Sequence, residues 1–137
     1  MWPNVEQRGR QRDFIQTMLS DDHRHMEGLF QDVVAACKRG EPAELRGQWS
    51  RFERELSSHL DLEEHEILPA FARAHQAEAQ GIRDEHAAIR TALTELGVDL
   101  DLHCLRADRV EAFIQLLRAH ARREEGVLYP WASRAAG

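Results

Sequence analysis

Histidine and glutamate recur in this chain at a spacing that lets them act together. The stretch from His59 through Glu63-Glu64 to Pro69 and the stretch from His120 through Glu124-Glu125 to Pro130 both read H-x-x-x-E-E-x-x-x-x-P, 61 residues apart. A His and a Glu four residues apart share one face of a helix. Two such pairs can bring two imidazoles and two carboxylates to one site. Imidazole suits first-row transition metals and carboxylate the harder ions, and no cysteine joins the set.

More imidazole is available nearby. The chain holds eight His, about twice the ordinary share for its length. Asp21-Asp22-His23-Arg24-His25-Met26 lines up with Asp84-Glu85-His86-Ala87-Ala88-Ile89, and in that register Phe30 falls on Leu93. The chain therefore reads as two copies of one unit, each with a lone His followed by H-x-x-x-E. In the first copy two histidines compete. The local match favours His23, whereas the spacing of 34 residues from His86 to His120 equals that from His25 to His59. A small indel in the Gly40-Glu41-Pro42 turn reconciles the two, so His23 is taken as the site residue and His25 as a neighbour. His65, His75 and His103 fall off the apolar stripes or near helix ends and are expected at the surface.

These residues need four helices to position them. Apolar residues follow the i, i+3, i+4, i+7 rhythm of a buried helix face. Helix 1 is expected over about 12–39, with Phe14, Ile15, Met18, Leu19, Met26, Leu29, Phe30, Val33, Val34 and Cys37 inward. Helix 2 is expected over about 43–75, through Leu45, Trp49, Phe52, Leu56, His59, Glu63, Ile67, Ala70 and Ala74, with a kink or a local break of its ladder at Pro69. Helix 3 carries Ile82, His86, Ile89, Leu93 and Leu96 and ends at Gly97, and residues 98–105 make the longest loop. Helix 4 spans about 107–129, with Val110, Phe113, Ile114, Leu117, His120, Glu124, Val127 and Leu128 inward. Tyr129 points away from the stripe, and Trp131 seals the bundle end. Short connections and the lack of β-type alternation predict an all-α, up-down-up-down antiparallel four-helix bundle. The bundle covers residues 12–137, and residues 1–11 read as an N-terminal arm whose Trp2 and Pro3 can pack back onto it.

Composition sets outer limits. A chain of 137 residues is long enough for one domain with a real core. A net charge of -6 leaves no excess of Lys and Arg to neutralise phosphates, which argues against nucleic acid as a partner. No run of 18 apolar residues exists, so no membrane span is expected. The polar start from Met1 to Asp13 lacks the apolar core of a signal peptide. Cys37 and Cys104 form no C-x-x-C pair and are expected to be reduced, in a cytoplasmic protein.

On a helical wheel Glu63 and Glu124 fall near the centre of their stripes, while Glu64 and Glu125 turn about 100° away into solvent. A buried, ionised carboxylate without a partner is costly. Taken singly, each His could be a hydrogen-bonded core residue and each Glu its ion-pair partner. Six such residues converging on one core are better explained by metal, which brings its own positive charge. Four His and two Glu exceed one tetrahedral zinc site. They suit two first-row ions with bridging carboxylates, iron first, manganese or zinc in reserve. Related motifs are missing: no E-x-x-H of the ferritin type occurs, and His65-Glu66 is followed by Pro69 where H-E-x-x-H needs a second His.

At this point the chain resembles the hemerythrin-like, HHE cation-binding family, over about residues 12–131. The matching residues are His23, His59, Glu63, His86, His120 and Glu124, with Pro69 and Pro130. The resemblance implies a non-haem di-iron centre with an oxo or hydroxo bridge, Glu63 and Glu124 as bridges and the four His as terminal ligands. Oxygen carriers of this family have a fifth His where this chain has Ile82, and an Asp one residue further on in place of Glu124. The four-His, two-Glu set is closer to iron sensors and to di-iron proteins that repair iron–sulfur clusters. The expected role is to bind or sense a small diatomic or peroxide ligand. The alternatives are iron storage or donation, iron–sulfur repair, and a di-iron peroxidase or nitric-oxide-reducing enzyme.

Overall fold

The computed structural model describes residues 5–103 and 105–136, with side chains over 17–103 and 105–135. Trp2, Pro3 and Cys104 lie outside the described residues, as do the side chains of Phe14 and Ile15. Helix α1 runs Val5–Arg39, so residues 5–11 are helical where an arm was expected. Gly40 ends it at a φ of 70°, its N–H bonded to the Ala36 carbonyl at 3.2 Å. This left-handed cap is a conformation that glycine adopts without penalty. Pro42 then fits the first turn of α2, Pro42–Leu62, where its missing N–H has no partner to lose.

Both Pro-bearing segments contain a device more specific than a kink. Residues Glu63–Ile67 form a π turn before α3, Leu68–Ala74. Residues Glu124–Leu128 form a second one between α5, Ala107–Arg123, and α6, Tyr129–Ala136. In each, the backbone N–H of the residue before the proline, Leu68 or Tyr129, bonds the carbonyl five residues back, on Glu63 or Glu124. Proline cannot donate, and its ring crowds the carbonyl four back, so the ladder widens by one residue there. At His65 the ring Nδ1–H donates to the Asp61 carbonyl at 2.8 Å.

The widening shifts every inward position beyond it by one residue. Ile67, Ala70 and Ala74 were expected to continue the stripe; Leu68 and Phe71 are the residues fully buried there. In the second copy Val127 is exposed, while Leu128 and Tyr129 are fully buried. Helix α4, Gln76–Asp101, starts directly after His75 and runs past Gly97, so the first half of the loop expected at 98–105 is helix. Leu100 is buried and extends the stripe, and the chain instead leaves the helix at His103, whose φ is 57°. Met18, expected inward, is exposed.

Side-chain pairs fix the topology. Asp22–His59, His25–Glu55 and Arg39–Glu44 run antiparallel between α1 and α2. Arg90 reaches back to Asp61 and Glu64. Arg109–Glu95, His120–Glu85 and Arg123–Glu78 align α5 against α4, and Arg118–Glu27 with His23–Glu124 closes α5 onto α1. The result is an up-down-up-down bundle, with no strand among the described residues. Its core is in two parts. Phe30, Phe52 and Phe113 pack as an aromatic cluster toward one end, with ring centroids 5.0 to 6.0 Å apart. Leu19, Leu68, Phe71, Ile82 and Tyr129 form the other part, capped by Trp131 edge-on to Phe71 at 5.2 Å. Between them, in the middle of the bundle, lies a polar layer.

Candidate metal centre

That layer consists of His23, His59, Glu63, His86, His120 and Glu124. Glu63, His86 and Glu124 have no solvent exposure, and His59 and His120 are buried. Helix spacing explains the placement. On α1 the site residue His23 lies between Leu19 and Met26, and on α4 His86 lies between Ile82 and Ile89, each flanked by one residue from each apolar cluster. Two sets of four ligand atoms form, each within 4.8 Å of one another: His23, His59, Glu63 and Glu124, and Glu63, His86, His120 and Glu124. Each hairpin thus gives both its imidazoles to one set, while both carboxylates are shared.

His25 falls elsewhere. It is exposed, and its Nε2 is 3.0 Å from Glu55 Oε1 on the flank of α2. His65, His75 and His103 are all exposed.

A model of the hemerythrin HHE cation binding domain matches residues 15–132. The chain belongs to this family. Comparison with curated proteins gave no match, nor did comparison with solved structures.

Hemerythrin HHE domains bind cations, and the donor atoms here suit one. Without an ion, both oxygens of Glu63 and the His120 Nε2 are buried with no well-formed hydrogen bond. Glu63 Oε1 does lie 2.6 Å from His59 Nε2, but the two are poorly aligned. Orphaned polar atoms of this kind cost of the order of 1–3 kcal/mol each, and a cation removes that cost. Electrostatics agree. Burial, with the Glu124 carboxylate beside it, pushes Glu63 well above the usual carboxylate range. Burial also opposes ionisation of Glu124, yet the surrounding Glu63, His120, His23 and His86 outweigh it and hold Glu124 well below that range. Like charges so close cannot both ionise unaided, so one carboxyl of the pair is raised and the other lowered. His59 is driven down by burial, so its imidazole is neutral and fit to ligate.

Sequence reasoning missed an outer layer. Each imidazole turns Nε2 inward and Nδ1 toward a carboxylate. His59 Nδ1–H donates to Asp22 Oδ2 at 3.1 Å and His120 Nδ1–H to Glu85 Oε1 at 2.7 Å. His23 Nδ1–H donates to Glu125 Oε1 at 3.3 Å, and His86 Nδ1 faces Glu64 Oε1 at 3.5 Å. Glu125, expected to be solvated, thus aims His23, and Glu64, expected likewise, stands beside His86 without a hydrogen bond to it. Arginines hold two of these carboxylates in turn: Arg90 to Glu64 at 2.8 Å and Arg123 to Glu85 at 2.7 Å. Such partners fix the tautomer and orientation of a ligating His, and their loss typically costs 10–100-fold in metal affinity. Glu85→Gln is therefore expected to weaken metal binding about 10-fold or more with helicity unchanged, as a competition titration with a coloured chelator would show.

The sequence reading also missed Tyr129, whose hydroxyl lies among the imidazoles. The π turn moves it inward, and Pro130 was the available signal. Beside the layer, on the α1, α2 and α5 side, is a cavity of about 310 Å3. His23, His59 and His120 form part of its wall, with Met26, Leu56 and Leu117, and the Arg118–Glu27 pair, at 2.6 Å, stands at its rim.

Proposed function

We propose that this chain holds a pair of iron ions and uses them to bind or sense a small ligand such as O2, nitric oxide or peroxide. The observation that carries the reading is the pair of four-atom donor sets sharing Glu63 and Glu124. The two carboxylates offset part of the charge of two divalent ions, and four imidazoles with two carboxylates leave coordination positions unfilled. Bound iron would supply those open positions and a one-electron change of state. His23 and His59 would hold one ion, His86 and His120 the other, with the two glutamates between them. Asp22, Glu85 and Glu125 keep three of the imidazoles aimed, and the two apolar clusters flank the layer. Manganese or zinc in the same donors is the reserve assignment.

The cavity favours ligand binding over storage, because a space of this size adjoins three of the imidazoles, and its largely apolar wall admits a small neutral molecule. No helix among the described residues is long and apolar enough to cross a membrane. We place the protein in the cytoplasm, where Cys37 remains a thiol.

Metal analysis combined with an anaerobic optical titration tests this. About two irons per chain, as expected for a carboxylate-bridged bundle site, together with a spectrum that changes reversibly on adding a small ligand, would support it. Irreversible oxidation with peroxide consumption would point to an enzyme. A single tightly held zinc and no iron would sink the iron-pair assignment.

A further inference from the structure

The two hairpins bring the same donor types to the metal layer, but one buried position directly beside the donors differs in chemistry. Leu68 and Tyr129 are equivalent: each follows its glutamate by five residues, bonds that glutamate's carbonyl across a π turn and is wholly buried. Where the first copy presents a hydrocarbon, the second presents a hydroxyl. The Tyr129 oxygen is 2.7 Å from His23 Nε2, 3.2 Å from His59 Nε2 and 3.1 Å from Glu124 Oε1. These belong to residues of a single donor set.

Those distances are informative. Donors held at about 2.1 Å from one ion and at right angles to each other stand about 3 Å apart. The phenol oxygen keeps that spacing from all three neighbours at once, whereas a phenol serving as a hydrogen-bond donor needs one acceptor. Tyr129 is itself wholly buried, among Leu19, Leu128 and Ile82 of the same cluster.

The geometry points to Tyr129 as a seventh ligand, its oxygen completing the His23–His59 position while Leu68 leaves the His86–His120 position one donor short. This rests on the metal-centre reading above. On coordination the phenol O–H bond breaks, the oxygen bonds the ion and the proton leaves to solvent, with no change in the ion's oxidation state; a bound cation favours such loss. The two ions are then unlike: one is closed by a phenolate and the other keeps the vacancy for a small ligand.

The test uses the full chain, loaded with ferrous iron without air and oxidised with ferricyanide. Tyr129 is the one tyrosine of the sequence, so any phenolate-to-iron absorption in the visible, with its tyrosine ring modes in the resonance Raman spectrum, has a single source. We expect both signals in the wild type, and Tyr129→Phe that keeps its iron but loses both. Iron-loaded wild type without phenolate modes would overturn the assignment and leave the metal centre standing, as would Tyr129→Phe with the band intact. Wild type that takes up no iron would overturn both. If Tyr129→Phe does not fold, the wild-type spectrum alone decides.

Discussion

Glu63→Met should abolish tight metal binding and make the metal-free protein more stable. The first half follows from sharing: Glu63 belongs to both donor sets, so one substitution weakens both positions. The second half follows from burial. Glu63 has no solvent exposure and no well-formed hydrogen bond to either oxygen, and burial pushes its proton affinity up. A buried polar group left unsatisfied costs about 1–3 kcal/mol, which an apolar residue of similar volume recovers. Breaking an ordinary buried ion pair instead destabilises by about 3–5 kcal/mol. The sign therefore separates a metal ligand from a core glutamate that simply pairs with His59. Urea unfolding in chelator, alongside metal analysis of the loaded protein, gives both numbers. Glu66→Met, at an exposed position of the same turn, is the control and should change neither. Unchanged metal content in Glu63→Met would remove this residue from the ligand set.

Removing the metal should lower the melting temperature by about 10 °C or more. A ligand at a thousand times its Kd stabilises the folded state by about 4 kcal/mol, and a domain of this size moves by roughly 3 °C for each kcal/mol. Calorimetry of loaded and chelated protein measures it. The loss should also be local. Hydrogen exchange should quicken over 59–68 and 120–129, where the ladder is already interrupted by the π turns, and stay slow around Phe30, Phe52 and Phe113. Equal loosening throughout the bundle would argue against a centre that is locally held by the ion.

Much of this arrangement could be read from residue types and spacing. Helical periodicity located the four helices, and the repeat of H-x-x-x-E paired with a lone His picked out the six residues that the fold gathers. Local alignment to Asp84-Glu85-His86 favoured His23, and it is His23, not His25, that faces the shared glutamates. What escaped came mainly from assuming 100° per residue throughout. Pro69 and Pro130 widen the turn before them, so a wheel carried past Glu63 or Glu124 is one residue out. It placed Val127 inward and Tyr129 outward, the reverse of what is found. The roles of Glu64 and Glu125 escaped for another reason. Their stripe position is peripheral, and only the neighbouring helices bring His86 and His23 within reach of them. Gly97 misled because a glycine near a plausible helix end was read as a cap, whereas Leu100 continues the buried face and Trp49 packs against Gly97, its Nε1 3.5 Å from where a Cβ would stand.

The two hairpins are joined through His75 alone, between Ala74 and Gln76. Two separate copies of one such hairpin, paired about a true twofold axis, would carry every substitution twice, and both halves of the layer would change together. A tandem chain is free of that rule. Fused end to end, one copy can drift while the other is kept, so Leu68 and Tyr129 can differ beside the same donor types. The one-residue joint thus does more than save length: it leaves the two donor sets free to acquire separate properties.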